Sequence, residues 1–352
     1  MRRHGWTLAL AAVLIALALR VAAQSAPHAV TYPTRTMGTY ANVTVVTADS
    51  LATLPLARIA HATLHRVDSL MSNWTTTSEV ARINREASAA TVTVEPEVAK
   101  VIDASLVTWR GTGGAFDITV EPLIRLWGFI GGPKRVPSDA EIAAVLPRVG
   151  AGNVSFDAVT RGLHFKKEGV RIDLGGIAKG YAVDAAADSL RAHGVTDALV
   201  DLTGNMVAIG HPAGAPAWRI GIRDPRDRMG HFARITLTNR AISTSGQYEQ
   251  FIAANGRTYG HILDPRTGKS VDGLISVTLV GPTGLACDAM DTPMFVMGPA
   301  AARRLAHDHP ELDAVLVAPG PTGVDTVWVE ESLRDRFVLD EAAKPLFVVR
   351  WF

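Results

Sequence analysis

Apolar and polar positions change period in short blocks along the chain. Ala41–Val46 places β-branched residues in alternation, the pattern of a half-buried strand. From Leu51 to about Met71 the apolar positions fall at helical spacing. A second helix follows Pro96 over Val98–Arg110, and the glycines at 111, 113 and 114 stop it. Ser138-Asp-Ala-Glu141 has capping-box spacing, and the helix it opens is expected to end near Pro147. Leu163 to Leu174 reads as a strand or hairpin running into Gly175-Gly176. The helix after it, about Ile177 to His193, stops at Gly194. Strands are further predicted at Ala198–Leu202, Arg234–Leu237, Ser276–Val280, Ala314–Val317 and Phe347–Arg350, and helices at Asp288–Met297 and Pro299–Asp308. No linker divides the chain. This order predicts an α+β fold, with mixed sheets and flanking helices forming two lobes around a cleft.

Composition narrows the function classes. Of 352 residues, 47% are hydrophobic and 20% charged, which gives a sizeable core and excludes disorder over the main body. The formal charge is +1, and Arg2, Arg3 and Arg20 all lie in the first 23 residues, which hold no acid. The remainder is near neutral, so nothing resembles a footprint for nucleic acid. The start itself is informative. Met1-Arg-Arg-His4 is positive, and Trp6–Leu19 is an uncharged apolar run, shorter than the roughly 20 residues a membrane span needs. Val21-Ala22-Ala23 fits a signal-peptidase site before Gln24. Residues 1–23 are therefore expected to be a signal peptide and 24–352 one exported domain. Arg20 leaves open an uncleaved segment, the one foreseen route to membrane contact. Cys287, the single cysteine, cannot form an internal disulfide and reads as a small buried residue rather than a nucleophile.

Four segments could carry chemistry. Asp173-Leu-Gly-Gly-Ile-Ala-Lys-Gly-Tyr-Ala-Val-Asp184 joins adjacent glycines to a helix start and Lys179, a combination suited to phosphate or equally to a plain strand-to-helix turn. Gly113-Gly-Ala-Phe-Asp117-Ile-Thr-Val-Glu-Pro122 sets Asp117 among apolar residues, where its carboxylate must meet donors from the backbone or a ligand. Tyr259-Gly-His261-Ile-Leu-Asp264-Pro265-Arg-Thr-Gly268 puts Asp264 three residues from His261, close enough to orient its imidazole as a base, or simply to cap the turn. Ser245, in Thr244-Ser-Gly246, lacks a G-x-S-x-G elbow. In Asp288-Ala-Met-Asp-Thr292, positions four apart share a helix face. Asp288 and Thr292 could thus converge on Mg²⁺, unless Asp288 merely meets the dipole of the first helical turn.

Together these segments resemble the FAD:protein FMN transferase, or ApbE, family. Thr36-Met-Gly-Thr-Tyr40 and Met71-Ser-Asn-Trp-Thr-Thr-Thr-Ser-Glu79, with Ile83-Asn84, extend the resemblance over about Thr36 to Gly298. It implies FAD bound in a cleft of an α+β fold, with Mg²⁺ on its diphosphate. Asp288 and Thr292 match the metal-ligand pair, and Gly176 the backbone carbonyl that completes it. Met37, Trp74, Ala115, Phe116, Asp117, Asp173 and Lys179 match flavin-pocket positions, and Ile262 lies beside the flavin. His261 matches the histidine expected to assist the attacking hydroxyl. The implied activity is Mg²⁺-dependent transfer of FMN from FAD to a threonine or serine of an acceptor protein, releasing AMP. Implied acceptors are flavoprotein subunits of membrane electron-transport complexes, modified on the exported, periplasmic side. Trp74 stands where the family usually has tyrosine, or asparagine in members associated with FAD hydrolysis, and an aromatic there can still stack on isoalloxazine. Thr77 replaces a common acid, and Thr203-Gly204-Asn205-Met206 a pattern nearer Gly-Gly-Asn or Gly-Gly-Asp. The alternatives are a Mg²⁺-dependent FAD pyrophosphatase using the same residues and a non-catalytic periplasmic flavin-binding protein, which would need no proton acceptor.

Overall fold

The computed structural model describes residues 26–352 except Asn255, so the expected signal peptide, residues 1–23, lies outside the described residues. The first half contains β1 (His28–Thr36), β2 (Thr39–Thr47), α1 (Thr53–Met71), α2 (Glu79–Glu86), β3 (Val92–Thr93) and α3 (Pro96–Gly111). Next come α4 (Glu121–Leu126), α5 (Asp139–Val145), β4 (Val154–Asp157), β5 (Gly162–Phe165) and α6 (Ala178–Ala192). The strands β6 (Ala198–Leu202), β7 (Asn205–Ile209), β8 (Trp218–Asp224), β9 (Asp227–Leu237) and β10 (Ala241–Gly246) follow. After the hairpin β11 (Phe251–Ala254) and β12 (Arg257–Gly260) the chain forms β13 (Ser276–Gly281), α7 (Gly284–Asp308) and β14 (Asp313–Ala318). It ends with β15 (Asp325–Val329), β16 (Phe337–Leu339) and β17 (Phe347–Trp351).

One nine-stranded sheet, ordered β1-β2-β6-β7-β10-β13-β14-β15-β17, organises the α+β fold. All its pairs are antiparallel except β15–β17. Its two faces carry different cores, because successive side chains alternate across a strand. Val277, Leu279, Ala314 and Leu316 point into the larger core, with α1, α3, α6 and α7. Val280, Val315 and Val317 point into a second core, under the sheet β16-β9-β8. A third, smaller core around Trp127, Phe129 and Leu263 ties α4 and α5 to the segment after β12. Helix α1 shows why periodicity works. Its buried residues Ala57, Ala60, Leu64, Val67 and Met71 recur every three or four positions, one stripe against the sheet.

Two expectations need correction. Of the Leu163–Leu174 stretch only Leu163 to Phe165, the end of β5, is strand. Beyond it the backbone finds other partners: the Ile172 N–H donates to Asn84 Oδ1 at 2.7 Å and the Asp173 N–H to the Ile118 carbonyl at 2.7 Å. The two helices expected at Asp288–Met297 and Pro299–Asp308 do meet at a break at Gly298, where φ is 78°, but the first begins earlier than expected, at Gly284. Thr283 caps it, and Asp184 accepts from the N–H groups of Gly284 and Leu285 at 2.7 and 2.8 Å. Asp288 therefore sits beyond the first turn, and the helix dipole does not account for it.

Candidate active site

The turn before α6 is built by its own side chains. Asp173 Oδ1 accepts from the Gly175 N–H at 2.5 Å, and desolvation pushes the Asp173 carboxyl upward. A Cβ on Gly176 would stand 3.5 Å from the Phe116 ring and 3.8 Å from Thr292 Oγ1, so this backbone lies directly beside α7. One turn on, α6 and α7 touch through glycine. A Cβ on Gly180 would meet the Gly284 carbonyl oxygen at 2.2 Å and Asp288 Cβ at 2.6 Å. That closeness lets the Gly180 N–H donate to Asp288 Oδ2 at 2.7 Å.

Around this crossing is a buried polar cluster. Lys179 Nζ lies 3.7 Å from Asp288 Oδ1. Asn205, at the start of β7, donates to Ser243 Oγ at 2.9 Å and accepts from Lys179 Nζ at 2.9 Å. Ser243 and Ser245, two apart on β10 and so on one face, donate to Asp291 Oδ2 at 2.6 Å and Oδ1 at 2.9 Å. Thr292 Oγ1 is 3.3 Å from Ser245 Oγ. Asp291 is fully buried; burial, then the neighbouring Asp288 charge, pushes its carboxyl upward. Sequence reasoning passed over Asp291, Asn205, Ser243 and Ser245 as members of this cluster. Asp291 alone carried a signal, since it follows Asp288 by three and shares its helix face.

His261 follows β12 directly. Its Nδ1 lies 3.2 Å from the Gln250 carbonyl oxygen, which can only accept. Nδ1 therefore carries the proton, and Nε2 keeps its lone pair. Burial lowers its pKa from 6.5 to about 4, and the charges of Lys179 and Lys134 act in the same direction. Phe129 meets the imidazole edge-on at 6.3 Å. Asp264 does not orient this ring, contrary to expectation. Its carboxylate binds Arg266 through two contacts of 2.9 Å and caps the turn through the Arg266 N–H at 2.9 Å. A guanidinium two residues away outcompetes the imidazole for it.

The other expected residues are spread around this centre. Phe116 packs on Gly176, while Ala115 and Ile262 are buried in the main core. Met37 holds φ 49° in the β1–β2 turn, its N–H donating to Asp68 Oδ2 at 2.8 Å. Asp117 is committed within the chain. Its Oδ1 accepts from the N–H and hydroxyl of Thr119 at 2.7 and 2.6 Å, and its Oδ2 from the Ala151 N–H at 2.8 Å. Of the two donor sources the sequence left open, the structure supplies the local one. Trp74 is 68% exposed and lines a cavity with Asn73, Arg125 and Arg171. Cys287 is buried and its thiol raised by desolvation, as befits a packing residue. Among the described residues, no three His, Cys, Asp or Glu side chains converge as a metal site.

With this geometry in view, comparison with known proteins is decisive. The family model of the ApbE family matches residues 37–316. The chain belongs to the ApbE family. It is 32% identical over 308 residues to the FAD:protein FMN transferase of Klebsiella pneumoniae (strain 342), covering 85% of this chain and 87% of that one. The FAD:protein FMN transferase of Vibrio cholerae serotype O1 is 30% identical over 302 residues, 84% and 88% of the two chains. Among solved structures, the ApbE protein of Thermotoga maritima MSB8 superposes with a TM-score of 0.77 at 31% identity, over 91% of this chain and 99% of that one. The apo flavinyl transferase ApbE of Pseudomonas stutzeri gives 0.76 at 30%, over 91% and 97%. The ApbE match contains every residue of the polar cluster and His261; β15 to β17 lie beyond it.

Proposed function

We propose that this chain transfers FMN from FAD to a serine or threonine hydroxyl of an acceptor protein, releasing AMP. The observation that carries the reading is the placement of Lys179. It touches the buried Asp288 carboxylate while its charge acts on His261, whose Nε2 is free, so anion site and base belong to one centre.

The donor set there suits Mg²⁺. Asp288, Asp291 and Thr292 supply hard oxygens, the Gly176 backbone lies against Thr292, and two adjacent buried carboxylates of like charge favour a divalent cation. When bound, Mg²⁺ would draw charge from the diphosphate and make AMP a better leaving group. The protein's own share is positional. Lys179 offers a cation to the diphosphate, held in place by Asn205. His261 Nε2 takes the proton of the acceptor hydroxyl, whose oxygen bonds to the FMN-side phosphorus. The bond from that phosphorus to the bridging oxygen breaks, and AMP departs with that oxygen. Phe116, against Gly176, and Ile262, next to His261, are buried apolar neighbours of this centre. The positive, apolar N-terminal segment supports an exported location, with an acceptor that is a flavoprotein subunit of a membrane electron-transport complex.

Incubating the purified chain with FAD and Mg²⁺, with and without a threonine-bearing acceptor domain, tests this. AMP and a fluorescent acceptor band are expected together, and both vanish with EDTA. AMP with free FMN in the absence of acceptor would make it a pyrophosphatase, and tight FAD binding without AMP a carrier. Asp288→Ala is expected to abolish Mg²⁺-dependent turnover; full activity in that variant would overturn the metal assignment.

A further inference from the structure

Residues 247–250 join β10 to β11 and hold His261 from two sides. At the far end of this turn the Gln250 carbonyl oxygen accepts from the His261 N–H at 3.0 Å and also faces its Nδ1 at 3.2 Å. At the near end Gln247 reaches across Gly260, the residue before His261. A Cβ on Gly260 would stand 2.7 Å from Gln247 Cδ, 2.8 Å from its Cγ and 3.0 Å from its Cβ, so this side chain lies flat on the Gly260 backbone. Beyond that contact Gln247 Nε2 donates to the Val271 carbonyl oxygen. The Val271 N–H in turn donates to the Ile262 carbonyl at 3.2 Å, and Ser270 Oγ to the Gly260 carbonyl at 2.9 Å. The residues on either side of the imidazole are thus tied to Ser270 and Val271, and Gln247 clasps the two segments together.

The turn has anchors of its own. The Gln247 N–H donates to the Ile275 carbonyl at 3.3 Å. The Tyr248 ring is seated on Gly246, where a Cβ would lie 2.6 Å from its Cε1 and Cζ. Glu249 pairs with Arg223 of β8 at 2.6 Å, and that guanidinium lies 6.0 Å from the Tyr248 ring centroid. A half-exposed ion pair adds little by itself, so the seated ring and the backbone bonds do most of the holding. Such precision matters to a base, because a misplacement of about 1 Å can cost about 10²-fold in rate. The Gln250 carbonyl fixes the Nδ1 proton only while the ring stays opposite it, and the path of the ring's backbone is set at Gly260.

We propose that Gln247 is a positioning residue for FMN transfer. By packing on Gly260 and bonding to Val271 it sets the backbone at 260–262, so that His261 keeps Nδ1–H on the Gln250 carbonyl and presents Nε2 to the acceptor hydroxyl. This rests on the reading of His261 as the base in the transfer reaction. Gln247 acts through that imidazole and not on the substrate.

The test uses the full chain with FAD, Mg²⁺ and the threonine-bearing acceptor domain, and two variants close to glutamine in size. Gln247→Met keeps the stem on Gly260 and loses the amide donor. Gln247→Glu keeps the shape and turns an acceptor toward the Val271 carbonyl. Each is expected to lower kcat by about tenfold, the Glu variant more than the Met variant, with the KM for FAD unchanged. The imidazole itself gives the readout that a merely structural role would not move. Nitrogen-15 NMR of histidine-labelled protein at pH 7, with the His261 signals identified by their loss in His261→Ala, should show Nδ1 protonated in the parent and a mixture of tautomers in both variants. Gly260→Ala places a methyl where Gln247 lies and should lower kcat by a similar factor. Combined with Gln247→Ala it should slow transfer no more than either change alone, because both break one contact. Mixed tautomers in the variants with no FMN transfer by the parent would sink the transfer reading and keep the positioning role. An unchanged tautomer in both variants, whatever the rate, or losses that multiply in the double variant, would overturn the positioning role itself.

Discussion

His261 shows how one residue's surroundings set its chemistry. Burial holds its pKa near 4, and the Gln250 carbonyl fixes the proton on Nδ1, so the imidazole is already a neutral base at pH 6. The acidic limb of kcat/KM for transfer is therefore expected near pH 4 rather than 6.5, read from a pH–rate profile at saturating Mg²⁺. The same shift bears on stability. The unfolded chain takes up this proton near 6.5 and the folded chain only near 4, so the contribution is complete above pH 6.5 and is lost as pH falls toward 4. His261→Ala is expected to slow transfer by roughly 10²- to 10⁴-fold while FAD still binds. At this scale the sequence disclosed what sits in turns and on one helix: Gly176, Lys179, His261, Asp288 and Thr292 lie in local patterns with a chemical reading. It could not disclose Asn205, Ser243 and Ser245, which reach the site through sheet register, Ser243 opposite Asn205 and both facing α7. It also misjudged Asp264, because nothing in a spacing of three says that Arg266 will claim the carboxylate first.

Between elements, the decisive contact is the crossing of α6 and α7 at Gly180 and Gly284. Helix propensity alone favours Gly180→Ala by about 1 kcal/mol. Packing wins here, since the new methyl would meet the Gly284 carbonyl oxygen at 2.2 Å and Asp288 Cβ at 2.6 Å, both far inside contact distance. Overpacking of this kind costs about 1–3 kcal/mol, so the net effect is destabilisation, visible as a lower urea midpoint. It must also push Asp288 away from the Gly180 N–H, so activity should fall by more than stability explains. An unchanged midpoint with full activity would mean the helices can separate freely. Elements were legible where apolar spacing was strong, as in α1 and β6, the latter matching the expected Ala198–Leu202 to the residue. The Val170–Leu174 segment misled because buried apolar residues look strand-like even when Asn84, from α2, satisfies the backbone instead. Strands β8, β11, β12 and β16 were invisible for a related reason: they pair within small local sheets, and their pairing is set by tertiary register rather than by their own sequence.

For the whole molecule, the nine-stranded sheet separates two tasks. The helix-covered face supplies the site through α6, α7, β7 and β10, whereas the opposite face, to which β17 contributes Phe347, is closed by β8, β9 and β16. Phe347, on β17, is buried and stacks on Phe232 of β9 with ring centroids 4.6 Å apart, and the Arg226 guanidinium lies 4.8 Å from its ring centroid. It lies beyond the segment matched by the ApbE family model and packs in the second core, on the face of the sheet away from α7. Phe347→Ala removes a large buried ring and is expected to cost about 3–5 kcal/mol, a large share of the roughly 5–15 kcal/mol that holds a domain folded. If the second core serves only to hold the sheet together, the urea midpoint must drop sharply while the transfer rate at 10 °C, where the variant remains folded, stays within about twofold of the parent. A rate that collapses at that temperature, with the protein still folded by circular dichroism, would show that the sheet transmits the repacking to β10 and the Asp288 cluster, and that the two faces act as one mechanical unit.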